Sequence, residues 1–358
     1  MTGQTPAVQH GEYKVPGGKL VVVDLRVDDG RLADVSISGD FFLEPDDFLP
    51  VLNGALDGLD ANAAPSALTA ALDAVVTEDT RLHGFSTAAI TVAVRRALGK
   101  ATGWTDHEWE IITDAAFTTL MHVSLDEVLT EEVGNGTRRP TLRFWELADS
   151  PNVYIGSFQS LRNEVDPEGA RETGAHVVRR ITGGGAMFTE HGNAITYSIY
   201  VPQTLVDGLS YTDSYAFLDS WVMASLEKIG VTAFYQPIND IATPEGKIGG
   251  AAQKRLANGG LLHHVTMSYD VDADKMVKVL RIGKEKMSDK GTRSAKKRVD
   301  PLRRQTGMTR EAIIDVMAQT FIERTGAVHG EVTEAELAEA QRRIDTKFGT
   351  EEWLTRVP

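Results

Sequence analysis

The chain has 358 residues, 42% of them apolar and 25% charged, with a formal net charge of −14. That length suits about two folding units, the composition is that of an ordinary globular protein and not a disordered one, and the acidic balance excludes a broad nucleic-acid surface, whose affinity comes from clustered Lys and Arg. There is no cysteine, which removes disulfides, thiolate metal sites and thiol nucleophiles together and fits a reducing cytoplasm. The opening residues, "MTGQTPAVQHGEYKVPGG", have neither the basic start nor the apolar centre of a signal peptide. No apolar run approaches the roughly 18 residues of a bilayer span, so a soluble cytoplasmic protein with no membrane partner is expected.

Taken in chain order, "KLVVVDLRVDDGRLADVSISGDFF" alternates apolar and polar positions around Asp28-Asp29-Gly30 and predicts a hairpin. Helical spacing follows over 46–56, 66–76 and 87–98. Residues 1–98 thus form a small α+β unit, and "GKATGWTD" reads as a linker over 99–105. A second unit, 106–326, opens with a predicted helix over 106–123 and continues with strands "TLRFWEL", "NVYIGSF" and "NAITYSIYVP". A helix over 214–228 precedes strands "AFYQPINDIAT", "KIGGAAQKR" and "GGLLHHVTMSYDV". Strands in runs with helices between and after them indicate α+β with mixed or antiparallel sheets. In the tail, 327–358, the charge spacing of "VTEAELAEAQRRIDTKF" predicts a solvated helix.

Three stretches carry chemistry. In "RRITGGGAMFTEHGN", the glycines Gly183, Gly184 and Gly185 permit positive φ and close ligand approach, and their N–H groups with Arg179 and Arg180 suit a carboxylate or phosphate; a glycine-rich hairpin turn is the plainer reading. In "NDIATPEGKIGGAAQKR", Lys247 follows the turn signal Pro244-Glu245-Gly246. Asn239 and Asp240 suit Mg²⁺ or a ribose hydroxyl, and suit a turn equally well. In "GKEKMSDKGTRSAKKRVDPLRR", a basic run within an acidic protein reads as a solvated segment or as a loop closing over phosphate. Together they describe a site joining two anions, as when ATP activates a carboxylate: cations and oriented N–H groups must offset the repulsion.

The sequence resembles the lipoate-protein ligase family of the biotin/lipoate ligase superfamily. "LRFWELADSPNVYIGSFQS" resembles the strand pair opening its catalytic domain, "RRITGGGAMFTEHGN" its Arg-Arg and Gly-triplet signature, "NDI…GKIGGAAQKR" its lysine motif, and "DKGTRSAKKRV" its adenylate-binding loop. The resemblance implies that Lys247 contacts the acyl carbonyl and phosphate of a lipoyl-adenylate. It implies that Arg180, Gly183, Gly184, Gly185 and Ala186 line the lipoate and phosphate pocket. Asn193, Asn239 and Asp240 would lie near the nucleotide or Mg²⁺, and Lys290, Ser294 and Arg298 would close over the adenylate. ATP, Mg²⁺ and lipoic acid are the implied small molecules. The implied partners are lipoyl-domain acceptors, namely 2-oxoacid dehydrogenase E2 subunits and the glycine cleavage H protein. The family's histidine after Phe is here Thr189, with His191 two places along. Residues 1–98 resemble the accessory domain that usually follows the catalytic domain, so the order looks permuted.

Two alternatives remain open at this point: a ligase preferring octanoate, and an inactive or regulatory lipoate- or nucleotide-binding paralogue. An octanoyltransferase passes its acyl group through a cysteine thioester in the family, and this chain has no thiolate, which excludes that route but not direct acyl transfer by another. A biotin ligase is disfavoured by the lack of a Gly-Arg-Gly-Arg type loop. The apolar positions Phe144, Tyr154, Ile155, Met187 and Phe188 are candidates for an acyl tunnel or for plain core.

Overall fold

The computed structural model describes residues 7–113, 116–281 and 301–357. It divides into two compact units, Met1–Asp106 with Thr204–Phe217, and His107–Gln203 with Leu218–Pro358.

In the first unit the strands Gln9–Lys14, Leu20–Asp28 and Arg31–Gly39 form an antiparallel sheet. The expected hairpin turns at Asp29 (φ 47) and Gly30 (φ 75), the paired left-handed conformation that matches strand twist. Helices Leu49–Leu56, Pro65–Asp73 and Thr87–Ala97 follow, the last capped by the Ser86 side chain, which accepts from Ala89 N–H. The helix Thr87–Ala97 packs so closely that a Cβ on Gly11 would lie 2.2 Å from Ala93 O. Residues 99–105 are not a bare linker: Ala101 and Trp104 are buried, and Trp104 stacks on Phe217 at 5.5 Å. The segment Thr204–Phe217 belongs to this unit because Thr102 N–H bonds Thr204 O at 2.9 Å and Arg95 pairs with Asp207 at 2.5 Å.

The second unit is α+β, as expected. Its eight-stranded sheet runs Phe234–Gln236, Asp240–Thr243, Gly246–Arg255, Gly260–Ser268, Ala194–Pro202, Thr141–Phe144, Glu110–Ile112 and Val328–His329. Pairing is antiparallel as far as Thr141–Phe144 and parallel for the last two strands. A smaller sheet sets Asn152–Ile155 between His176–Arg179 and Met187–Thr189.

The predicted helix over 106–123 is corrected. Trp109, Ile111 and Ile112 are buried, and Glu110–Ile112 is a strand. The helix is Thr119–Gly134, begun where Thr118 Oγ1 accepts from Met121 N–H. Its Val123, Leu125, Val128, Leu129 and Val133 build a core with Trp145, Tyr154 and Tyr200. The tail also departs from expectation, since Ala340 and Phe348 enter that same core and Ser124 Oγ donates to Ala340 O at 2.7 Å. Its charges form a seam: Arg343, mostly buried, bonds Glu127 at 3.1 Å, Glu131 at 2.6 Å and Glu339 at 2.7 Å. Among the described residues no helix is long and apolar enough to cross a membrane.

Candidate active site

A cavity of about 240 Å³ opens in the second unit. Its lining includes the apolar Trp145, Tyr154, Met187 and Phe188 and the polar Arg180, Asn239, Lys247, His264 and Ser268. Gly184, Gly185 and Ala186 complete its rim.

Lys247 reaches the cavity through a strand irregularity. Asp240 pairs with Gly250 and Ile241 with Gly249, but Ala242 pairs with Lys247, so Ile248 is an extra residue. A regular strand would send positions 247 and 250 to opposite faces. The bulge brings them to one face, where a Cβ on Gly250 would meet Lys247 Nζ at 2.9 Å. Lys247 Nζ bonds Asp240 Oδ1 at 2.6 Å with its side chain 46% exposed. A pair that exposed stabilises the fold by about 1 kcal/mol at most, so the arrangement serves the site more than the fold.

Arg180 is buried and holds the glycine turn from within. Its Nη2 donates to Gly183 O at 2.7 Å and Gly185 O at 2.9 Å, its Nη1 to Tyr154 O at 3.3 Å, and its Nε to Thr182 Oγ1 at 2.9 Å. Gly184 has φ +92, a conformation that favours glycine. The N–H groups of Gly183, Gly184 and Gly185 make no hydrogen bond among the described residues. Arg179 does not share this role. Its guanidinium donates to Gly156 O at 2.9 Å, Gln159 O at 2.7 Å and Leu354 O at 2.7 Å, anchoring the carboxyl-terminal segment.

Of the residues singled out from the sequence, the cavity gathers Lys247, Arg180, Gly184, Gly185, Ala186 and Asn239. Asp240 joins them through Lys247. Asn239 Nδ2 donates to Ala251 O at 2.7 Å, tying two strands together beneath the lysine. Gly183 lies behind the rim, bonded to Arg180. Asn193 is not in the lining: its Oδ1 accepts from Glu190 N–H at 2.7 Å and closes a turn. Lys290, Ser294 and Arg298 lie outside the described residues. Tyr154, Met187 and Phe188 face the cavity, whereas Phe144 packs against Tyr197 and Ile155 sits in a separate core cluster. Thr189 is buried on its strand, and His191 is largely exposed, bonded to Leu147 O at 3.0 Å, so neither supplies a histidine to the cavity.

The histidine that does line it is His264, which the sequence reading passed over. Its Nδ1 lies 2.8 Å from Asp126 Oδ2 and its Nε2 2.8 Å from Thr182 Oγ1. Asp126 Oδ1 also accepts from Tyr200 at 2.7 Å, Ser198 at 2.8 Å and Arg143 at 3.1 Å. Burial works to raise the Asp126 carboxyl, but His264, Arg143 and Tyr200 outweigh it and hold it below the usual carboxylate range. Burial lowers His264 against the pull of Asp126. The available signal was the strand "LLHHV", whose neighbouring histidines must face opposite sides: His263 turns to Asp219 at 2.6 Å and His264 to the cavity.

Residues 118–322 match the lipoyl protein ligase A/B catalytic domain. The chain belongs to that family. The octanoyltransferase LipM of Kyrpidia tusciae is 29% identical over 276 residues, covering 69% of this chain and 98% of that protein. A structure of an archaeal lipoylation system, a bi-partite lipoate protein ligase and its E2 lipoyl domain from Thermoplasma acidophilum, superposes with TM-score 0.62 at 28% identity, over 70% of this chain and 98% of that one. Lipoate-protein ligase A bound with ATP gives TM-score 0.60 at 25% identity, over 70% and 99%. The family segment contains the whole cavity, while the chain up to Asp106 lies outside it.

Proposed function

We propose that the protein is an ATP-dependent lipoate-protein ligase. The observation that carries this reading is one cavity lined by Lys247, Arg180, Gly184 and Gly185 together with apolar side chains, in a chain without cysteine. Lipoate's carboxylate attacks the α-phosphorus of MgATP, forming lipoyl-AMP and releasing pyrophosphate; the ε-amino group of an acceptor lysine then attacks the acyl carbonyl, loses a proton and expels AMP. Both steps build negative charge, which the Lys247 ammonium and the turn's N–H groups, lining the same cavity, would offset. A volume of about 240 Å³ is below that of drug-sized sites, about 300–1,000 Å³, and suits the acyl half alone. Magnesium enters with the nucleotide. No three His, Asp or Glu side chains converge on a metal position among the described residues, and Asp240 is the single carboxylate beside Lys247 to meet it, as Mg²⁺ held largely by substrate phosphates requires.

The relatives support the small molecules and the acceptor class: one binds ATP, and another is paired with an E2 lipoyl domain. Likeness to LipM favours octanoyl transfer as a second reading, yet a thioester relay needs a thiolate this chain lacks. The two separate on donor dependence. The protein should acylate a lipoyl domain with lipoate and MgATP, releasing AMP in step with the acceptor's mass gain. Acylation from octanoyl-carrier protein without ATP would reverse the assignment.

Two further expectations follow from the geometry. A Cβ on Gly156 would lie 2.3 Å from Gly184 O, so Gly156→Ala must push the glycine turn off Arg180. A displacement of that size lowers adenylate formation roughly 10- to 100-fold and costs about 1–3 kcal/mol of stability; wild-type turnover would remove the turn from the site. We also assign the first unit as an accessory domain acting in adenylation. Deleting residues 1–98 should harm adenylate formation more than transfer from supplied lipoyl-AMP, and equal losses in both assays would reduce it to a structural role. The cysteine-free composition supports a cytoplasmic setting.

A further inference from the structure

A line of hydrogen bonds ties the cavity to the core. Asp126 sits on the helix Thr119–Gly134, His264 on the strand Gly260–Ser268, and Thr182 and Arg180 on the segment leading into the glycine turn. Thr182 is fully buried and Asp126 nearly so. For a neutral His264 the donor count along this line has one consistent solution. Asp126 Oδ2, an acceptor, must receive Nδ1–H of His264 at 2.8 Å. The other tautomer would set a ring lone pair against a carboxylate lone pair inside the protein. His264 Nε2 is then an acceptor and takes the Thr182 hydroxyl proton at 2.8 Å. The Thr182 oxygen is left with lone pairs only, and one of them receives Arg180 Nε–H at 2.9 Å. Burial keeps His264 in the neutral form that this pattern requires.

We infer that Asp126, His264 and Thr182 are positioning residues for Arg180: the Asp126 carboxylate fixes the His264 tautomer, which orients the Thr182 hydroxyl, which fixes the rotation of the guanidinium that grips Gly183 and Gly185. Arg143 secures the far end. Its Nη2 donates to Asp126 at 3.1 Å, its Nε to the Tyr200 hydroxyl at 2.8 Å and its Nη1 to His122 Nδ1 at 2.7 Å. The glycine turn, exposed at Gly184 and Gly185, thereby takes its geometry from a side-chain chain that ends in the core.

Thr182→Val keeps the side-chain shape and removes the hydroxyl, leaving Arg180 Nε–H and His264 Nε2 unmatched, whereas Thr182→Ser retains it. The activity arm rests on the acyl-adenylate reading above. Because Thr182 lies outside the cavity lining and acts through Arg180, Thr182→Val should lower kcat for adenylate formation roughly 10- to 100-fold while the KM for lipoate stays within about three-fold. Thr182→Ser should restore kcat to within about three-fold of wild type. A general loss of structure would not divide the two variants or separate kcat from KM in this way. The second arm needs no turnover. In ¹⁵N-labelled full-length protein, His264 should carry its proton on Nδ1, and Arg180 Nε–H should exchange slowly in wild type and Thr182→Ser but rapidly in Thr182→Val. An Nε2–H tautomer, or undiminished Arg180 protection in Thr182→Val, would overturn the inference, as would a wild-type kcat in that variant. Wild-type protein that forms no adenylate would remove the proposed function, and the resonance arm would then decide the inference by itself.

Discussion

Lys247→Ala is expected to lower adenylate formation by about 10²–10³-fold while the variant melts within a degree or two of wild type. The two halves of that expectation come from one geometry. Lys247 is 46% exposed and its 2.6 Å partner Asp240 is 32% exposed, so breaking the pair removes about 1 kcal/mol or less from the fold. At the reacting centre the same change removes a cation and also leaves the Asp240 carboxylate facing an incoming carboxylate and phosphates. Single-turnover formation of lipoyl-AMP, with melting followed in parallel, reads both halves. A large fall in melting temperature, or an unchanged rate, would remove Lys247 from the chemistry.

Beyond its positioning role, Asp126→Ala should act on stability, by roughly 3–5 kcal/mol, because it strands the Arg143 guanidinium without its charge partner. Arg143 is fully buried and Asp126 nearly so. The same cluster makes the second unit acid-sensitive. His122 accepts from Arg143 at 2.7 Å through Nδ1 and donates to Glu146 O at 2.8 Å through Nε2, so it is neutral in the fold. Burial first, and then the Arg143 charge, push it down to about 3. Between pH 6.5 and pH 3 the unfolded chain takes up a proton there that the folded protein refuses. Stability therefore falls as pH falls through that window, by about 3 kcal/mol between pH 6.5 and pH 4. Asp126, held low in the fold, adds a loss of the same sign below about pH 4. Pulse-labelled hydrogen exchange across a urea titration, read on the helix Thr119–Gly134, isolates this unit from the other. Stability that is flat or rising from pH 6.5 to pH 4 would contradict a neutral buried His122.

The sequence made the local features of the site legible because they are local. A glycine triplet beside Arg180, and a lysine just past a Pro-Glu-Gly turn, advertise their chemistry within a few residues. What it concealed depends on partners far apart in the chain. Arg179 and Arg180 are adjacent and identical in type, yet Arg180, just past the end of the strand His176–Arg179, grips the glycine turn and Arg179 the carboxyl-terminal segment. Asp126 reads as an ordinary polar position in a helix; only folding sets it 2.8 Å from His264, 138 residues away. The missed strand Glu110–Ile112 is three residues long and gains its pairing from both Thr141–Phe144 and the distant Val328–His329. Likewise Thr204–Phe217 gives no compositional sign that it completes the first unit. The Lys247 bulge is the subtlest case, since "GKIGG" does not declare which residue is the extra one.

The central claim is that this cavity joins a carboxylate to the α-phosphate of ATP, and pyrophosphate exchange in the absence of any acceptor tests it most directly. Labelled pyrophosphate should pass into ATP when lipoate and Mg²⁺ are supplied to the purified protein, with octanoate tested beside it, and not with biotin. No exchange with any of the three acids, or exchange that proceeds without an acid, would contradict the account.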